Sequence, residues 1–344
     1  MIGLFKTAIG DGNMELRETP DPEPGPGQVV VEVKAAGICG SDLHIFHSDV
    51  KVPIKPPVIV GHEFSGTISK LGDGVTGWKT GERVTAEPSA SICGQCVYCR
   101  TGYYNLCPER KISGFWVDGA FARYTVVPQD RLHRLPDNVD FLAGALTEPL
   151  ACCVHGVAEL TGVSAGDNVA ITGPGPIGIL SMQLAKAFGA QVIVIGTEKD
   201  SGRLLKAKEL GADHVVNLEE KDPVSLVRQL TGGYGADIVL ECSGAGSAVD
   251  MGLDIIRKQG KYTQVGLFYK PINVDFEKIA FKEVKLTGTF SQRWTAWRKS
   301  LLLMAREKVL TKPVITDVFP LSEWREAFNK CESKQGLKII LKPE

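Results

Sequence analysis

The sequence lacks the features of membrane-spanning, nucleic-acid-binding and secreted proteins. Its formal net charge is −1, and no long run of Lys or Arg occurs in its 344 residues, so we expect no nucleic-acid partner. No apolar stretch reaches the roughly 20 residues that a bilayer-spanning helix needs, so no membrane association is expected. The segment from Met1 to Asp11 has no charged start followed by an apolar core, the mark of a signal peptide. These absences predict a cytoplasmic protein.

Cysteine, in contrast, is plentiful, with nine in the chain. Four of them, Cys93, Cys96, Cys99 and Cys107, form a C-x-x-C-x-x-C-x7-C cluster, which in a cytosolic chain indicates metal binding rather than disulfides. Four sulfur ligands make a closed tetrahedral site with no position left for chemistry, so the cluster predicts a structural zinc. An iron–sulfur cluster is the alternative, because sulfur spacing alone does not choose the metal.

The chain changes its character near residue 150. Residues 1–150 contain short strands between Gly- and Pro-rich turns, which predicts a β-barrel-like domain. In residues 151–290, strand and helix patterns alternate with short links, which predicts a doubly wound parallel sheet. Residues 291–344 hold two helical patterns and a final strand, GLKIIL, and we expect this segment to return to the first domain. The predicted fold class is therefore α/β with two domains.

A glycine-rich turn follows the strand NVAIT in the second region. Gly173, Gly175 and Gly178 match the G-x-G-x-x-G pattern, and Pro176 and Ile177 open an apolar helix. In this context the first glycine makes the tight turn, the second lets backbone approach a pyrophosphate, and the third lets helix and strand pack closely. The phosphates would sit at the helix N-terminus, so the motif predicts a nicotinamide dinucleotide. An ordinary glycine-rich turn is the alternative.

The next strand, VIVI, ends in Gly196 and then Thr197, Glu198, Lys199 and Asp200. An acid at this point normally binds the ribose hydroxyls of NAD, and here Glu198 would repel a 2′-phosphate. A glycine with Lys199 or Arg203 nearby would instead accept that phosphate, so NAD is slightly favoured and NADP stays open. The predicted cofactor contacts are Gly173, Gly175, Pro176, Ile177, Gly178, Thr197, Glu198, Lys199, Arg203, Val265, Gly266 and Leu267.

A second metal site is indicated by Cys39, by the adjacent pair His62-Glu63, and by Glu148. A thiolate, an imidazole and one or two carboxylates form a mixed-ligand zinc site, which keeps one position open for water or substrate. Each residue alone has an ordinary alternative as a core thiol, a packed histidine or a surface charge. With the cysteine cluster, this predicts two zinc ions per chain.

Cys39-Gly40-Ser41-Asp42, the Gly61-His62-Glu63-x-x-Gly66 stretch, the four-cysteine cluster and the dinucleotide turn occur in the order found in zinc-containing medium-chain dehydrogenases. The chain resembles this family over its whole length. The resemblance implies a GroES-like catalytic domain, a Rossmann domain and a homo-oligomer, a dimer or a tetramer. It also implies catalytic zinc on Cys39, His62 and Glu63, with Glu148 reaching the metal directly or through water.

Within the family, Glu148-Pro149-Leu150 is similar to the polyol dehydrogenase branch, whereas simple alcohol dehydrogenases have a cysteine ligand at this place. Threonine dehydrogenases are the next most similar. Sorbitol dehydrogenases carry an Arg-Tyr pair where this chain has Ser291-Gln292, which argues against sorbitol itself. We therefore expect a zinc-dependent dehydrogenase of a polyol or other secondary alcohol. Threonine or short-chain alcohol oxidation and a non-catalytic zinc-binding relative are the alternatives.

The expected chemistry places two further residues at the catalytic zinc. The metal would lower the pKa of the substrate hydroxyl, and hydride would pass to the nicotinamide. Ser41 would accept the hydroxyl proton and His44 would pass it outward, because the ordinary pKa of histidine is near neutrality. His155, Phe46, Phe115 and Trp116 are candidate pocket residues, and the three aromatics are equally expected in the core. Strands predicted near Asn273–Phe276 and Val284–Thr289 would lie at a sheet edge and pair between subunits.

Overall fold

The computed structural model describes residues 1–343, and they divide into two compact units. The first unit contains residues 1–148, 293–305 and 310–343, and the second contains residues 149–292 and 306–309. The helices are α1 (Gly40–His47), α2 (Val97–Arg100), α3 (Phe141–Ala145), α4 (Thr147–Cys153), α5 (Pro176–Ala187), α6 (Ser201–Glu209), α7 (Pro223–Leu230), α8 (Gly246–Ile255), α9 (Phe276–Lys282), α10 (Trp294–Ala305) and α11 (Trp324–Glu332), with a π-helix at Val154–Thr161. Within residues 1–343, none of these helices has the length and apolar character needed to cross a bilayer.

The first unit is built on strands that pair mostly antiparallel. The strands of the chain are β1 (Ile2–Lys6), β2 (Met14–Glu18), β3 (Gln28–Gly37), β4 (Val58–Ile59), β5 (Glu63–Leu71), β6 (Arg83–Ala86), β7 (Ser89–Ser91), β8 (Lys111–Ile112), β9 (Tyr124–Pro128), β10 (Leu132–Arg134), β11 (Asn168–Thr172), β12 (Gln191–Gly196), β13 (His214–Asn217), β14 (Ala236–Glu241), β15 (Ile256–Gln264), β16 (Lys285–Gly288), β17 (Ile315–Pro320) and β18 (Lys338–Lys342). The main sheet of this unit has the order β10-β6-β5-β3-β18-β17, and β9 also pairs with β3. The C-terminal strand β18 therefore lies beside β3, with Ile340 opposite Gly37.

The core of the first unit contains an aromatic cluster next to this sheet. The Phe46 ring meets Trp324 and Phe328 edge-on, at centroid distances of 6.1 and 6.2 Å. Phe328 also packs edge-on against the buried Phe121 ring. Such edge-to-face pairs are a preferred geometry of aromatic rings. Phe46 is partly buried and packs against this core, which is close to one of its two expected places.

The second unit contains one six-stranded sheet with the order β13-β12-β11-β14-β15-β16. All its neighbouring strands run parallel. Its central strands are continuous apolar runs, and Val192 to Ile195 are all buried, as is usual where both faces of a parallel sheet are covered. The predicted α/β class, with one domain of mainly antiparallel strands and one of parallel strands, is confirmed.

One predicted strand is wrong. Residues 273–275 form no strand, and helix α9 begins at Phe276. The Asp275 side chain accepts the N–H of Glu277 at 2.9 Å, and such N-capping stabilises the start of a helix. The other predicted edge strand, at Val284–Thr289, exists as β16 and lies at the end of the sheet.

The sequence patterns did not predict strand β13 or helix α7. The start of α7 carries two recognisable signals, because Pro223 occupies the first turn and the Asp222 side chain accepts the N–H groups of Val224 and Ser225. Both features favour helix initiation. The four residues of β13, HVVN, are too short for periodicity alone to separate strand from helix.

Candidate active site

Cys39, His62 and Glu63 come together where strands β3 and β5 pair. Gly37 of β3 lies opposite Glu63, the first residue of β5, so the chain segments that follow β3 and precede β5 are neighbours. The ligand atoms of the three residues all lie within 4.8 Å of one another. His62 and Glu63 are buried and Cys39 is partly exposed. The cluster is therefore compact enough for its thiol, imidazole and carboxylate to meet at one ion.

Gly61 is required for this arrangement. Its φ is +90°, and a Cβ added there would lie 2.5 Å from the Phe121 ring. Such a φ is readily adopted only by glycine. Gly61 therefore lets the chain turn tightly over the aromatic core just before the two ligand residues.

Asp42 contacts both Cys39 and His62; it belongs to the Cys39-Gly40-Ser41-Asp42 motif, but the sequence patterns predicted no role for it. It is fully buried; its Oδ2 accepts the Cys39 N–H at 2.9 Å, and its Oδ1 lies 3.6 Å from His62 Nδ1. Although burial lowers the pKa of His62, the Asp42 carboxylate and the Cys39 thiol raise it well above its ordinary value. The surroundings of His62 thus favour a bound cation.

Lys338 is a residue that the sequence patterns missed. Its side chain, on strand β18, is only 3% exposed, forms an ion pair with the Glu63 carboxylate and donates to the Ile38 carbonyl at 2.7 Å. Burial lowers the pKa of Lys338, but Glu63 and Cys39 outweigh that effect and raise it. The available signal was a lysine inside the apolar strand GLKIIL, since buried lysines are almost always paired.

The donor set fits a zinc ion. Within residues 1–343, Asp42 Oδ1 and His62 Nδ1 are buried atoms without a hydrogen-bond partner, whereas Glu63 Oε2 is paired with the Lys338 ammonium. Zinc in proteins takes thiolate, imidazole and carboxylate ligands, and three protein ligands leave a position open. The three residues can therefore hold a metal that also binds a substrate oxygen.

Glu148 lies near this cluster but is not one of the three ligand atoms within 4.8 Å. It is buried in the first turn of α4. Burial raises its pKa to about 7; the charge of His62 opposes this and that of Glu63 adds to it. Glu148 is thus a carboxyl group within electrostatic reach of His62 and Glu63.

The two relay candidates lie on the helix that follows Cys39. Ser41 and His44 are three residues apart on α1, a spacing that places side chains on one helix face. His44 is 29% exposed, and its Nδ1 lies 2.8 Å from Asp49 Oδ1. A partly exposed imidazole held by a carboxylate is suited to exchanging protons with solvent.

The four-cysteine cluster also fits a zinc ion. Its four sulfur atoms lie within 4.8 Å of one another, and Cys93 Sγ is 3.9 Å from Cys99 Sγ and 3.6 Å from Cys107 Sγ. Zinc–sulfur bonds of about 2.3 Å in a tetrahedron place the sulfurs about 3.8 Å apart. The N–H groups of Cys96 and Gln95 lower the pKa of Cys93 to about 7, which favours the thiolate that a metal needs.

The glycine-rich turn lies between strand β11 and helix α5. Gly173 has a φ of +88°, and a Cβ on it would lie 2.8 Å from Ser243. A Cβ on Gly178 would lie 2.0 Å from the Gly173 carbonyl oxygen, whereas one on Gly175 would meet nothing within 4 Å. Pro176 and Ile177 form the first turn of α5. The first and third glycines are thus needed for packing, and the second borders open space that suits a phosphate.

Side-chain hydrogen bonds hold the acidic segment 197–200, which follows strand β12. Thr197 Oγ1 donates to Asp200 at 2.8 Å, and Asn217 donates its side-chain amide to the Glu198 carboxylate. Lys199 is exposed, and the Arg203 guanidinium lies 3.8 Å from the Asp200 carboxylate. The remaining predicted cofactor residues, Val265, Gly266 and Leu267, follow strand β15 in the same unit.

The other candidate pocket residues have varied surroundings. The buried Phe115 ring lies 5.5 Å from the His62 ring, while Trp116 is 37% exposed. His155 belongs to the second unit, where its Nδ1 lies 3.0 Å from the Glu159 carboxylate. Phe115 is therefore the candidate that borders the three-ligand cluster directly.

Two family models match the chain. A model of the alcohol dehydrogenase GroES-like domain matches residues 25–137, and a zinc-binding dehydrogenase model matches residues 176–306. The chain belongs to the zinc-dependent medium-chain alcohol dehydrogenase family. The predicted resemblance is confirmed, and the protein is a dehydrogenase that uses zinc and a nicotinamide cofactor.

Curated relatives cover almost the whole dehydrogenase. A sorbitol dehydrogenase from Halalkalibacterium halodurans is 47% identical over 100% of this chain and 99% of its own length. A D-arabitol-phosphate dehydrogenase from Enterococcus avium is 41% identical over 99% and 97%. An L-threonine 3-dehydrogenase from Bacillus subtilis is 39% identical over 95% and 94%. Polyol enzymes thus precede threonine enzymes in similarity, in agreement with the predicted order of the two branches.

Solved structures share the fold of the dehydrogenase. One, described as a zinc-binding dehydrogenase from Sinorhizobium meliloti bound to NADP, has a TM-score of 0.90 and 31% identity, covering 99% of both chains. Another, a short-chain alcohol dehydrogenase from Escherichia coli complexed with NADH, has a TM-score of 0.89 and 26% identity, again covering 99% of both chains. Both cofactor types therefore occur among structural neighbours.

Proposed function

We propose that this dehydrogenase oxidises a secondary hydroxyl group of a polyol or sugar-derived substrate to a ketone, reversibly, with hydride transfer to NAD. The observation that carries this proposal is Glu148, a carboxyl group buried within electrostatic reach of His62 and Glu63. The simple alcohol dehydrogenases that this chain resembles less have a cysteine at that place. The two relatives with the highest identity given above are polyol enzymes.

We assign the catalytic zinc to Cys39, His62 and Glu63, with Glu148 reaching it directly or through water. The structural zinc is assigned to Cys93, Cys96, Cys99 and Cys107, so that each chain binds two ions. When bound at the first site, zinc acts as a Lewis acid toward the substrate hydroxyl and lowers its pKa. Asp42 orients His62 for this role, and Lys338 balances the charge of Glu63. Such supporting residues tune both the affinity and the geometry of metal ligands.

The proton of the substrate hydroxyl leaves through Ser41 and His44 in this proposal. Ser41 follows Cys39 by two residues, and His44 lies one helical turn further along α1. A hydroxyl group can accept one hydrogen bond while it donates another, so Ser41 can transfer a proton without becoming charged. Asp49, 2.8 Å from His44 Nδ1, stabilises the imidazolium that forms.

The proposed cofactor is NAD, and the support is electrostatic. The Glu198 carboxylate accepts a hydrogen bond from Asn217, and the Glu219 carboxylate accepts the Glu198 N–H at 3.0 Å. Two carboxylates at this point disfavour a 2′-phosphate, while a carboxylate accepts hydrogen bonds from ribose hydroxyls. Arg203, which could bind that phosphate, lies close to Asp200 instead.

A homo-oligomer, either a dimer or a tetramer, is part of the proposal. Strand β16 is one of the two outer strands of the six-stranded sheet, and Leu286 on it is 50% exposed. Phe276 and Phe281 on helix α9 are 68% and 75% exposed. An outer strand with apolar neighbours is a common surface for pairing between copies. The cytoplasmic location, which rests on the sequence, stays a prediction.

The experiment is a substrate and cofactor screen on protein of known metal content. Purified protein is analysed for zinc and then assayed with sorbitol, xylitol, arabitol, polyol phosphates, L-threonine and 2,3-butanediol, each with NAD and with NADP. Two zinc ions per chain and the highest kcat/KM for a polyol with NAD are expected. Preference for threonine or butanediol would establish the alternative function, and two zinc ions without turnover of any alcohol would refute the enzymatic proposal.

A further inference from the structure

Glu241 is a buried carboxylate for which the proposed reaction has no use. It is the last residue of strand β14 and is 0% exposed. Its lateral neighbours are Thr172, the last residue before the glycine-rich turn, and Gln264, the last residue before Val265. Glu241 therefore lies at the edge of the sheet where the predicted cofactor contacts begin.

The carboxylate is surrounded by uncharged donors. Oε1 accepts the Ser243 N–H at 2.8 Å and the Gly244 N–H at 3.1 Å, together with the hydroxyl groups of Ser243 and Thr172. Oε2 accepts the Gln264 side-chain amide at 2.6 Å and shares the Gly244 N–H. Five donors share the two oxygens, which is one more than the roughly four lone-pair sites of an ionised carboxyl group.

These hydrogen bonds connect three loops. Gln264 also donates to the Gly266 carbonyl oxygen at 2.8 Å, and the N–H groups of Val265 and Gly266 donate to the Glu241 carbonyl oxygen. A Cβ on Gly266 would lie 2.4 Å from Gly244 N. Since a Cβ on Gly173 would lie 2.8 Å from Ser243, the loops after β11, β14 and β15 pack on one another around this carboxylate.

We propose that Glu241 is a positioning residue for the nicotinamide cofactor, because its carboxylate holds Ser243–Gly244 and Val265–Leu267 in place beside the Gly173 turn. It acts through these loops and needs no contact with the cofactor. The N–H groups of Ser243 and Gly244 already donate hydrogen bonds to Glu241. These two residues would therefore shape the cofactor site and would not bind a phosphate through their N–H groups. This inference rests on the nicotinamide cofactor of the proposed function.

An ionised carboxylate is needed because every partner donates. Glu241→Gln keeps the size of the side chain but replaces one acceptor oxygen with an NH₂ group that faces other donors. Hydrogen bonds to charged groups are stronger than neutral ones, and an unsatisfied buried donor is costly. We expect the loops to lose their fixed positions while the strand itself stays in the sheet.

Asp237 supplies a matched control on the same strand. It lies near the opposite end of β14, where its carboxylate accepts the Asn168 N–H at 2.8 Å and the Arg257 Nε–H at 2.6 Å. Asp237→Asn weakens the same sheet without touching the three loops. A purely structural role of Glu241 predicts similar behaviour of the two variants.

The first measurement is the equilibrium dissociation constant of NADH, obtained by fluorescence titration of the zinc-loaded protein. Glu241→Gln should raise it roughly 10- to 100-fold, and Asp237→Asn should leave it unchanged even where both lower the melting temperature. The KM for NAD should rise with Glu241→Gln while kcat at saturating NAD changes little. Hydrogen exchange without cofactor should be faster in peptides covering 242–246 and 265–268 only in Glu241→Gln.

An unchanged NADH dissociation constant in Glu241→Gln, or an equal rise in Asp237→Asn, would overturn the inference. If Glu241→Gln does not fold, Gln264→Met tests the inference instead, because it removes one hydrogen-bond donor to Glu241 and leaves the carboxylate in place. A raised NADH dissociation constant in that variant supports the inference, and an unchanged one overturns it. Failure of the unmodified protein to bind NADH or NADPH would instead refute the proposed function on which the inference rests.

Discussion

Lys338, six residues from the end of the chain, forms a buried ion pair with Glu63 of the three-ligand cluster. The contact exists because strand β18 pairs with β3, which also pairs with β5. Gly37 lies between the partners, and a Cβ there would lie 2.5 Å from Glu63 Oε2 and 2.8 Å from Lys338 Cε. The C-terminal strand therefore supplies the counter-charge of a proposed metal ligand.

Lys338→Met should destabilise the protein by about 3–5 kcal/mol, because it leaves the Glu63 carboxylate buried without its cation. Denaturant unfolding of the zinc-free protein measures this loss, because bound zinc would supply another cation to Glu63. Lys338→Arg keeps the positive charge and should lose less stability. Gly37→Ala should also destabilise the protein, because its methyl group would lie between Lys338 and Glu63. A Lys338→Met protein as stable as the unmodified one would show that the ion pair does not hold Glu63.

Cys107→Ala should reduce the zinc content from two ions to one per chain, because three thiolates no longer complete a closed tetrahedral site. Elemental analysis after dialysis against a weak chelator measures the stoichiometry. Cys331→Ala, which removes a cysteine outside both predicted metal sites, is the control and should retain two ions. Retention of two ions in Cys107→Ala would contradict the assignment of the structural zinc.

Ser41→Ala should lower kcat roughly 100-fold or more, which is the range of positioned acid–base groups, while the zinc content stays the same. Turnover measured from acid to alkaline pH, together with metal analysis, tests the relay. His44→Gln should have a smaller effect that added small-molecule buffers partly restore. Full activity of Ser41→Ala at every pH would rule out the relay.

Glu198→Ala should lower kcat/KM for NAD roughly tenfold, because a charge-assisted hydrogen bond to the ribose is lost. The value for NADP should rise, since a repulsive charge is removed. Glu220→Gln, which neutralises a nearby exposed carboxylate, is the matched control and should change neither value much. A protein that prefers NADP before mutation would refute the proposed cofactor.

His47 should make stability depend on pH. Its Nδ1 lies 2.7 Å from the Asp11 carboxylate and its Nε2 lies 2.5 Å from the Glu332 carboxylate, and hydrogen bonds to Glu332 and Asp11 raise its pKa. A raised pKa in the folded state stabilises the protein below the ordinary pKa of about 6.5, and this stabilisation is lost as pH rises through the raised value.

The stability difference between the unmodified protein and His47→Gln should therefore be largest near pH 6 and should decline toward alkaline pH. We expect a difference below about 1 kcal/mol, because the side chain is 43% exposed and solvent screens the pair. Urea unfolding at several pH values measures it. A difference that stays constant with pH would show that His47 contributes through packing alone.

The amino-acid sequence was sufficient to predict the fold class, because the fold class follows from local patterns of strand, helix and turn residues. Alternating strand and helix segments after residue 150 predict a parallel sheet, and the spacing of the glycines at 173, 175 and 178 predicts a phosphate-binding turn. The four clustered cysteines predict a metal site for the same reason, since all four ligands lie on one short segment. The strand expected near Asn273 failed because an aspartate cap started a helix there.

Only the tertiary structure shows which residues, distant in sequence, support the three-ligand cluster and the loops of the predicted cofactor site. Lys338 reaches Glu63 through the pairing of strands that lie far apart in the chain, and Asp42 reaches His62 across a loop. Likewise, Thr172 and Gln264 meet Glu241 only because three parallel strands end side by side. The predicted ligand residues can be recognised from motifs in the sequence. The residues that support them come into contact through the order and register of the strands, which no local pattern specifies.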